Sequence, residues 1–152
     1  MLEWSKLKKL QLSRYGEYYS KMEFSRNGFD IYTSEVDDKG IDFIVRKTDD
    51  SSSINYYEIQ VKTIRWPASK YVFMRKSQFP LSKHNYLSLL IIKDEKITHY
   101  LICSDDWKKP KSYPLIDRPN YRKPEWGLNI SEKGLRILDS DFRFEKQIAQ
   151  LK

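Results

Sequence analysis

From Tyr56 to Thr63 the chain reads YYEIQVKT, and this alternation constrains the fold more than any other segment. Successive residues of a strand point to opposite faces of the sheet. Tyr57, Ile59, Val61 and Thr63 therefore form one core-packing set, while Glu58, Gln60 and Lys62 share the other face. Residues two apart on that polar face lie roughly 6.6 Å from one another along the strand. Upstream, Ile41 to Lys47 (IDFIVRK) alternates in the same way, with Ile41, Phe43 and Val45 on one face and Asp42, Ile44 and Arg46 on the other. The polar connection Thr48 to Ser53 is a good hairpin loop between the two. If the strands pair, Asp42 lies beside Gln60 and Lys62.

The rest of the chain supplies helices and further strands. Leu7, Leu10, Arg14, Tyr15, Tyr18 and Met22 recur on three- and four-residue steps, predicting a helix from Trp4 to about Arg26, with Gly16 as an interruption or kink and Gly28 as its stop. FDIYT (29–33) and YVFMR (71–75) read as strands, and 76–85 as a short helix or irregular link. Residues 86–93 and 97–104 form a second hairpin around Asp94-Glu95-Lys96. A strand at Gly127 to Ile130 and a helix opening at Ser131, with Leu135 and Leu138 in the core, complete the order. This order predicts an α/β (α+β) fold, a central mixed sheet flanked by helices, in one domain spanning residues 1–152.

Composition narrows the function classes. Hydrophobic residues make up 39% of the 152 and aromatics 14%, enough for a packed core. The longest apolar run, Leu87 to Ile92, is broken by Ser88, so no membrane span is expected. The start, MLEWSKLKKL, lacks the apolar stretch of a secretory signal. A single cysteine, Cys103, excludes an internal disulfide and a Cys-cluster metal site, and reads as a small apolar core residue. A reducing, cytoplasmic setting fits. His84 and His99 have no ligand spacing, and His99 is expected on the sheet surface. The formal charge of +7 points to a polyanionic partner, although a protein partner is an alternative use of that charge.

Four of the six prolines fall in a basic loop from Lys108 to Pro124. Its cations are Lys108, Lys109, Lys111, Arg118, Arg122 and Lys123, set against Asp117 and Glu125, with Tyr113, Tyr121 and the flanking tryptophans Trp107 and Trp126 interleaved. Cations on phosphates with aromatics stacking on bases would make a nucleic-acid contact element. For the aromatics themselves, a proline-stiffened loop pinned to the core is the preferred reading.

Asp42, Gln60 and Lys62 carry the chemistry. Taken singly, Asp42 reads as an acid ending the turn at Gly40, and Lys62 as a solvated lysine that protects an edge strand. Asp38 reads as a turn cap and Glu58 as a structural acid. Taken together, the carboxylate, amide oxygen and ammonium suit metal-assisted phosphodiester hydrolysis. Asp42 and the Gln60 carbonyl would be hard oxygen ligands for Mg²⁺ (or Mn²⁺), and Lys62 a cation for the phosphate or the attacking water. Glu17, beside Gly16, is a candidate additional ligand.

The run from Gly16-Glu17 through Gly40-Ile41-Asp42 to Gln60-Val61-Lys62 resembles the PD-(D/E)xK phosphodiesterase superfamily of restriction endonucleases and Holliday-junction resolvases, in a bacterial branch with a Gln-x-Lys variant. Its pattern is a Glu on the first helix, an Asp opening the second core strand, and acid-x-Lys on the third. The resemblance covers residues 13–63. It implies a restriction endonuclease-like core, a magnesium-dependent deoxyribonuclease, DNA as partner, and catalytic roles for Glu17, Asp42, Gln60 and Lys62. Neither a membrane nor a small-molecule cofactor is expected, and a homodimer is compatible with this reading. Gln60 stands where most members carry an acid, so a catalytically impaired nucleic-acid-binding module or assembly subunit with the same fold is the alternative.

Overall fold

The computed structural model describes residues 4–33, 35, 40–108 and 113–151. A 3-10 turn at Trp4–Lys6 leads into helix α1, Lys9–Arg26, which runs through Gly16 without a break. The helix buries Leu12, Gly16, Ser20 and Phe24, four-residue steps on a face different from the one hydrophobicity marked. Leu10 is 84% exposed, and Tyr18 and Met22 also face outward. The reason is steric. A Cβ added at Gly16 would stand 1.8 Å from Thr63 Oγ1, so the absence of a side chain there lets the helix backbone approach the sheet this closely.

Among the described residues eight strands follow: β1 (Asp30–Tyr32), β2 (Phe43–Thr48), β3 (Ile54–Arg65), β4 (Tyr71–Arg75), β5 (Asn85–Lys93), β6 (Lys96–Cys103), β7 (Leu115–Arg118) and β8 (Glu125–Asn129). Five of them form a mixed sheet in the order β1-β2-β3-β5-β6, in which only β3 and β5 run parallel. A parallel pair needs a crossover, usually a helix. Here β4 and a 3-10 turn at Lys76–Gln78 make it instead. β4 leaves the main sheet and joins a second, antiparallel one in the order β4-β8-β7.

The segment expected to be a basic loop thus contains β7. Leu115 is buried opposite Leu128 of β8, while Pro114 and Pro119 stand just outside the strand. Proline is tolerated at the ends of an edge strand, so proline density alone misleads there.

The main sheet is covered on both faces. α1 and the short helix α3 (Phe144–Ile148) cover one, over Phe24, Phe43, Val45, Tyr57, Ile59 and Leu101. The small sheet and α2 (Glu132–Asp141) cover the other, over Met74, Leu87, Leu89, Ile91, Leu128 and Leu138. Ser131 caps α2, its hydroxyl accepting the Gly134 N–H at 3.1 Å. No helix among the described residues is long and apolar enough to cross a membrane.

His99 corrects the surface assignment made from strand alternation. It is 7% exposed, with Nε2 2.6 Å from the buried Ser88 hydroxyl and its ring stacked on Phe144 at 4.1 Å. α3 covers the part of β6 that alternation left open, and burial pushes the imidazole pKa down to about 3. The unfolded chain then binds a proton near pH 6.5 that the native state refuses, so stability falls as the pH drops from 6.5 toward 3. At pH 4 the expected loss is about 3 kcal/mol relative to neutral pH. Urea unfolding at pH 7 and pH 4 checks this, and His99→Gln should flatten the dependence.

Candidate active site

Asp42 sits immediately before β2, with its N–H on the Ile59 carbonyl at 2.9 Å. β2 begins only at Phe43, paired with Ile59, so the ladder to β3 stops there. The Asp42 carboxylate continues it, accepting the Val61 N–H through Oδ2 at 2.6 Å. A charge-assisted bond of this kind fixes the carboxylate against the backbone of β3. The turn before it needs Gly40, whose φ is +74°. A Cβ on Gly40 would lie 2.9 Å from Gln78 Cβ and 3.5 Å from Gln60 Nε2, so the turn packs directly on the Gln60 amide.

Gln60 Oε1 is buried without a hydrogen-bond partner. Lys62 follows on the same face, opposite Leu89 of β5. It is half-buried, which removes the reading of it as a solvated lysine. Its Nζ stands 5.7 Å from the centre of the Phe73 ring of β4. Burial lowers the Lys62 pKa, the Asp42 charge pulls it back up, and the charges of Lys9 and Arg75 press it down further. Asp42, Gln60 and Lys62 therefore meet where the main sheet passes under the edge of the small one, in surroundings that carry more positive charge than negative.

The other expected site residues have contacts of their own. Glu17 is held on α1 by Lys21 at 3.2 Å and Arg14 at 3.7 Å. Lys21 in turn lies 5.7 Å from the ring of Phe43, the residue that follows Asp42. Lys108 pairs with Asp105 at 3.1 Å, and Lys109, Lys111 and Asp38 lie outside the described residues. Arg118 is on β7, and Arg122 and Lys123 are in the β7–β8 connection, where they line a groove of about 510 Å³ with Phe73, Arg75, Tyr121 and Glu125. Of the loop aromatics, Trp107 is buried with its indole N–H on the Gly127 carbonyl at 3.0 Å, Tyr113 meets the Ser131 hydroxyl, and Trp126 packs on the core. Only Tyr121 stands out in solvent.

Lys9, Phe73 and Arg75 were missed by sequence reasoning. YVFMR reads only as a strand, and although its alternation is the signal that puts Tyr71, Phe73 and Arg75 on one face, nothing local says that β4 joins a second sheet and passes near Lys62.

The donors beside Lys62 suit a hard divalent cation. A buried acceptor that lacks a donor, Gln60 Oε1, stands next to the turn that carries the Asp42 carboxylate. Among the described residues, no three His, Cys, Asp or Glu side chains come together as a metal site. Any such ion would therefore rest on few protein oxygens and keep several waters, as Mg²⁺ does. No protein-family model matches the chain, and a search of curated proteins finds no match.

A lowered pKa means that the folded surroundings disfavour the Lys62 ammonium. The group contributes unfavourably at neutral pH, and this is relieved as the pH rises through its folded pKa toward the ordinary 10.5. Lys62→Met should therefore raise the Tm at pH 7, measured by differential scanning calorimetry. A lower Tm would assign Lys62 a structural role.

Proposed function

We propose that the protein is a divalent-metal-dependent nuclease that hydrolyses the phosphodiester bonds of DNA. The convergence of the Asp42 carboxylate, the unpartnered Gln60 oxygen and the half-buried Lys62 ammonium carries this reading. The order of elements also supports it: Glu17 on the first helix, Asp42 immediately before the second strand and Gln60-x-Lys62 on the third, with Gln60 where the resemblance would put an acid. Gly16, beside the candidate Glu17, is part of the contact that seats that helix on the third strand.

Asp42 and Gln60 would hold the cation. When bound, a divalent ion supplies positive charge to a phosphate oxygen and makes a nearby water more acidic. Asp42 keeps its carboxylate oriented through the Val61 N–H. Lys62 hydrogen-bonds a phosphate oxygen and stabilises the negative charge that grows there in the transition state. Its lowered pKa also brings it closer to proton exchange with the attacking water. Lys9 and Arg75 add positive potential along the approach of the strand.

Plasmid, single-stranded and branched DNA incubated with the protein in Mg²⁺ or Mn²⁺ test the assignment. Asp42→Asn, which preserves an acceptor for Val61, and Lys62→Met should each slow cleavage on the order of 10²- to 10³-fold. Cleavage that survives both substitutions removes the assignment.

Gln60 favours a second reading, in which the same fold binds nucleic acid without cutting it. A neutral amide contributes less to cation affinity than a carboxylate. Gln60→Glu should tighten Mn²⁺ binding measured by isothermal titration calorimetry. A native protein that takes up no Mn²⁺ even with DNA present, yet binds DNA in a salt-dependent way, is the non-catalytic module.

A further inference from the structure

We propose that the outer face of the β4-β8-β7 sheet is a stacking platform for unpaired nucleotides, which delivers a single strand to Lys62. Delivery to Lys62 rests on the nuclease reading; the platform itself does not.

The platform begins with β4. Val72 and Met74 point into the core, so Tyr71, Phe73 and Arg75 face outward. Tyr71 is 36% exposed, Phe73 40% and the neighbouring Tyr121 52%. The Tyr71 and Phe73 rings are nearly parallel, 22° apart in plane with centres 6.2 Å apart. Gly127 makes this possible. It pairs with Phe73 on the central strand β8, and a Cβ there would fall 2.3 Å from the Tyr71 hydroxyl oxygen. The missing side chain lets Tyr71 lie across the sheet, where its hydroxyl donates to Glu125 Oε2 at 2.5 Å. A ring held this way loses little conformational freedom when it meets a ligand.

Charge selects the ligand. The groove beside these rings is lined by Phe73, Arg75, Tyr121, Arg122, Lys123 and Glu125. Its one acid, Glu125, is buried and already accepts from Tyr71, and it lies in register between Arg75 and Arg118. Arg118 also stands 5.8 Å from the Tyr121 ring centre. Cations at this density favour phosphates, and open ring faces favour flat partners. In a duplex the base faces are occupied by their neighbours, and only phosphates and groove edges remain to be contacted. A single strand presents both phosphates and base faces. The groove meets the candidate site at Phe73, whose ring borders it and stands 5.7 Å from Lys62 Nζ.

Fluorescence anisotropy with the full chain in EDTA tests the platform apart from cleavage. The probes are a labelled oligothymidylate, a duplex of equal length, and an abasic oligomer with the same number of phosphates. The expected result is that oligothymidylate binds roughly tenfold more tightly than either of the others, and that Phe73→Ala removes most of this margin while leaving abasic binding unchanged. Equal affinity of the native protein for the abasic and thymidine strands, or tighter binding of the duplex, overturns the proposal without recourse to any variant. Asp42→Asn separates the two readings. Loss of metal-dependent cleavage with oligothymidylate binding intact supports both. Strand preference in a protein that never cleaves leaves the platform standing and removes the nuclease. Cleavage of duplex that proceeds unaltered in Phe73→Ala removes the delivery step.

Discussion

β3 is twelve residues long and β2 only six, so beyond Ile59 the longer strand has a strand neighbour on one side only, β5. The rest of the candidate site depends on how that open side is closed. An unpaired N–H buried against protein costs about 1–3 kcal/mol. The Val61 N–H avoids this by taking the Asp42 carboxylate as its acceptor. Two further contacts secure the same half of the strand: Gly16 of α1 presses on Thr63, and Arg65 donates to the Trp4 carbonyl at 3.0 Å from Nε and reaches the Leu7 carbonyl as well. The backbone bearing Gln60 and Lys62 is therefore held from the helix end and the turn end together, and the side chains between them have little room to move.

Two features of this arrangement oppose stability. Gln60 has an acceptor without a donor, and Lys62 is a cation in surroundings that lower its pKa. Elsewhere in the core, Ser20 bonds to Ser88, Trp107 bonds to the Gly127 carbonyl, and Tyr100 donates to Asp139 at 2.5 Å. Buried polar groups are satisfied almost everywhere in folded proteins, and exceptions concentrate where a ligand completes them. An unfilled acceptor and a disfavoured cation side by side, beside a fixed carboxylate, are what a site awaiting a cation and a phosphate requires.

The strands around the site were legible because alternation is a local property. Ile59 and Val61 against Gln60 and Lys62 state the two faces of β3 within four residues, and the Thr48 to Ser53 connection states the hairpin. What lies above each face is not local. The buried side of α1 is marked by Gly16 and Ser20, whose value is the absence of bulk, so hydrophobicity selected Leu10 and Met22 instead. His99 looked like a surface residue because nothing in β6 announces that α3 will cover it. Arg75 and Phe73 were read correctly as strand residues, but their nearness to Lys62 comes from a crossover that no neighbouring residue encodes.

That crossover ties the two surfaces together. A helix connecting β3 to β5 would have covered the polar face of β3 with a rod and kept the chain's cations at its own surface. A strand connection instead creates a second sheet, whose inner side extends the core through Val72 and Met74 and whose outer side is free to carry Tyr71, Phe73 and Arg75. Because β4 is an edge strand of that sheet, the Phe73 ring reaches the place where Lys62 emerges. One five-residue strand therefore closes the core, borders the candidate site and opens the basic groove. A change in its register by one residue would exchange Val72 and Met74 for Tyr71 and Phe73 in the interior and remove all three features together.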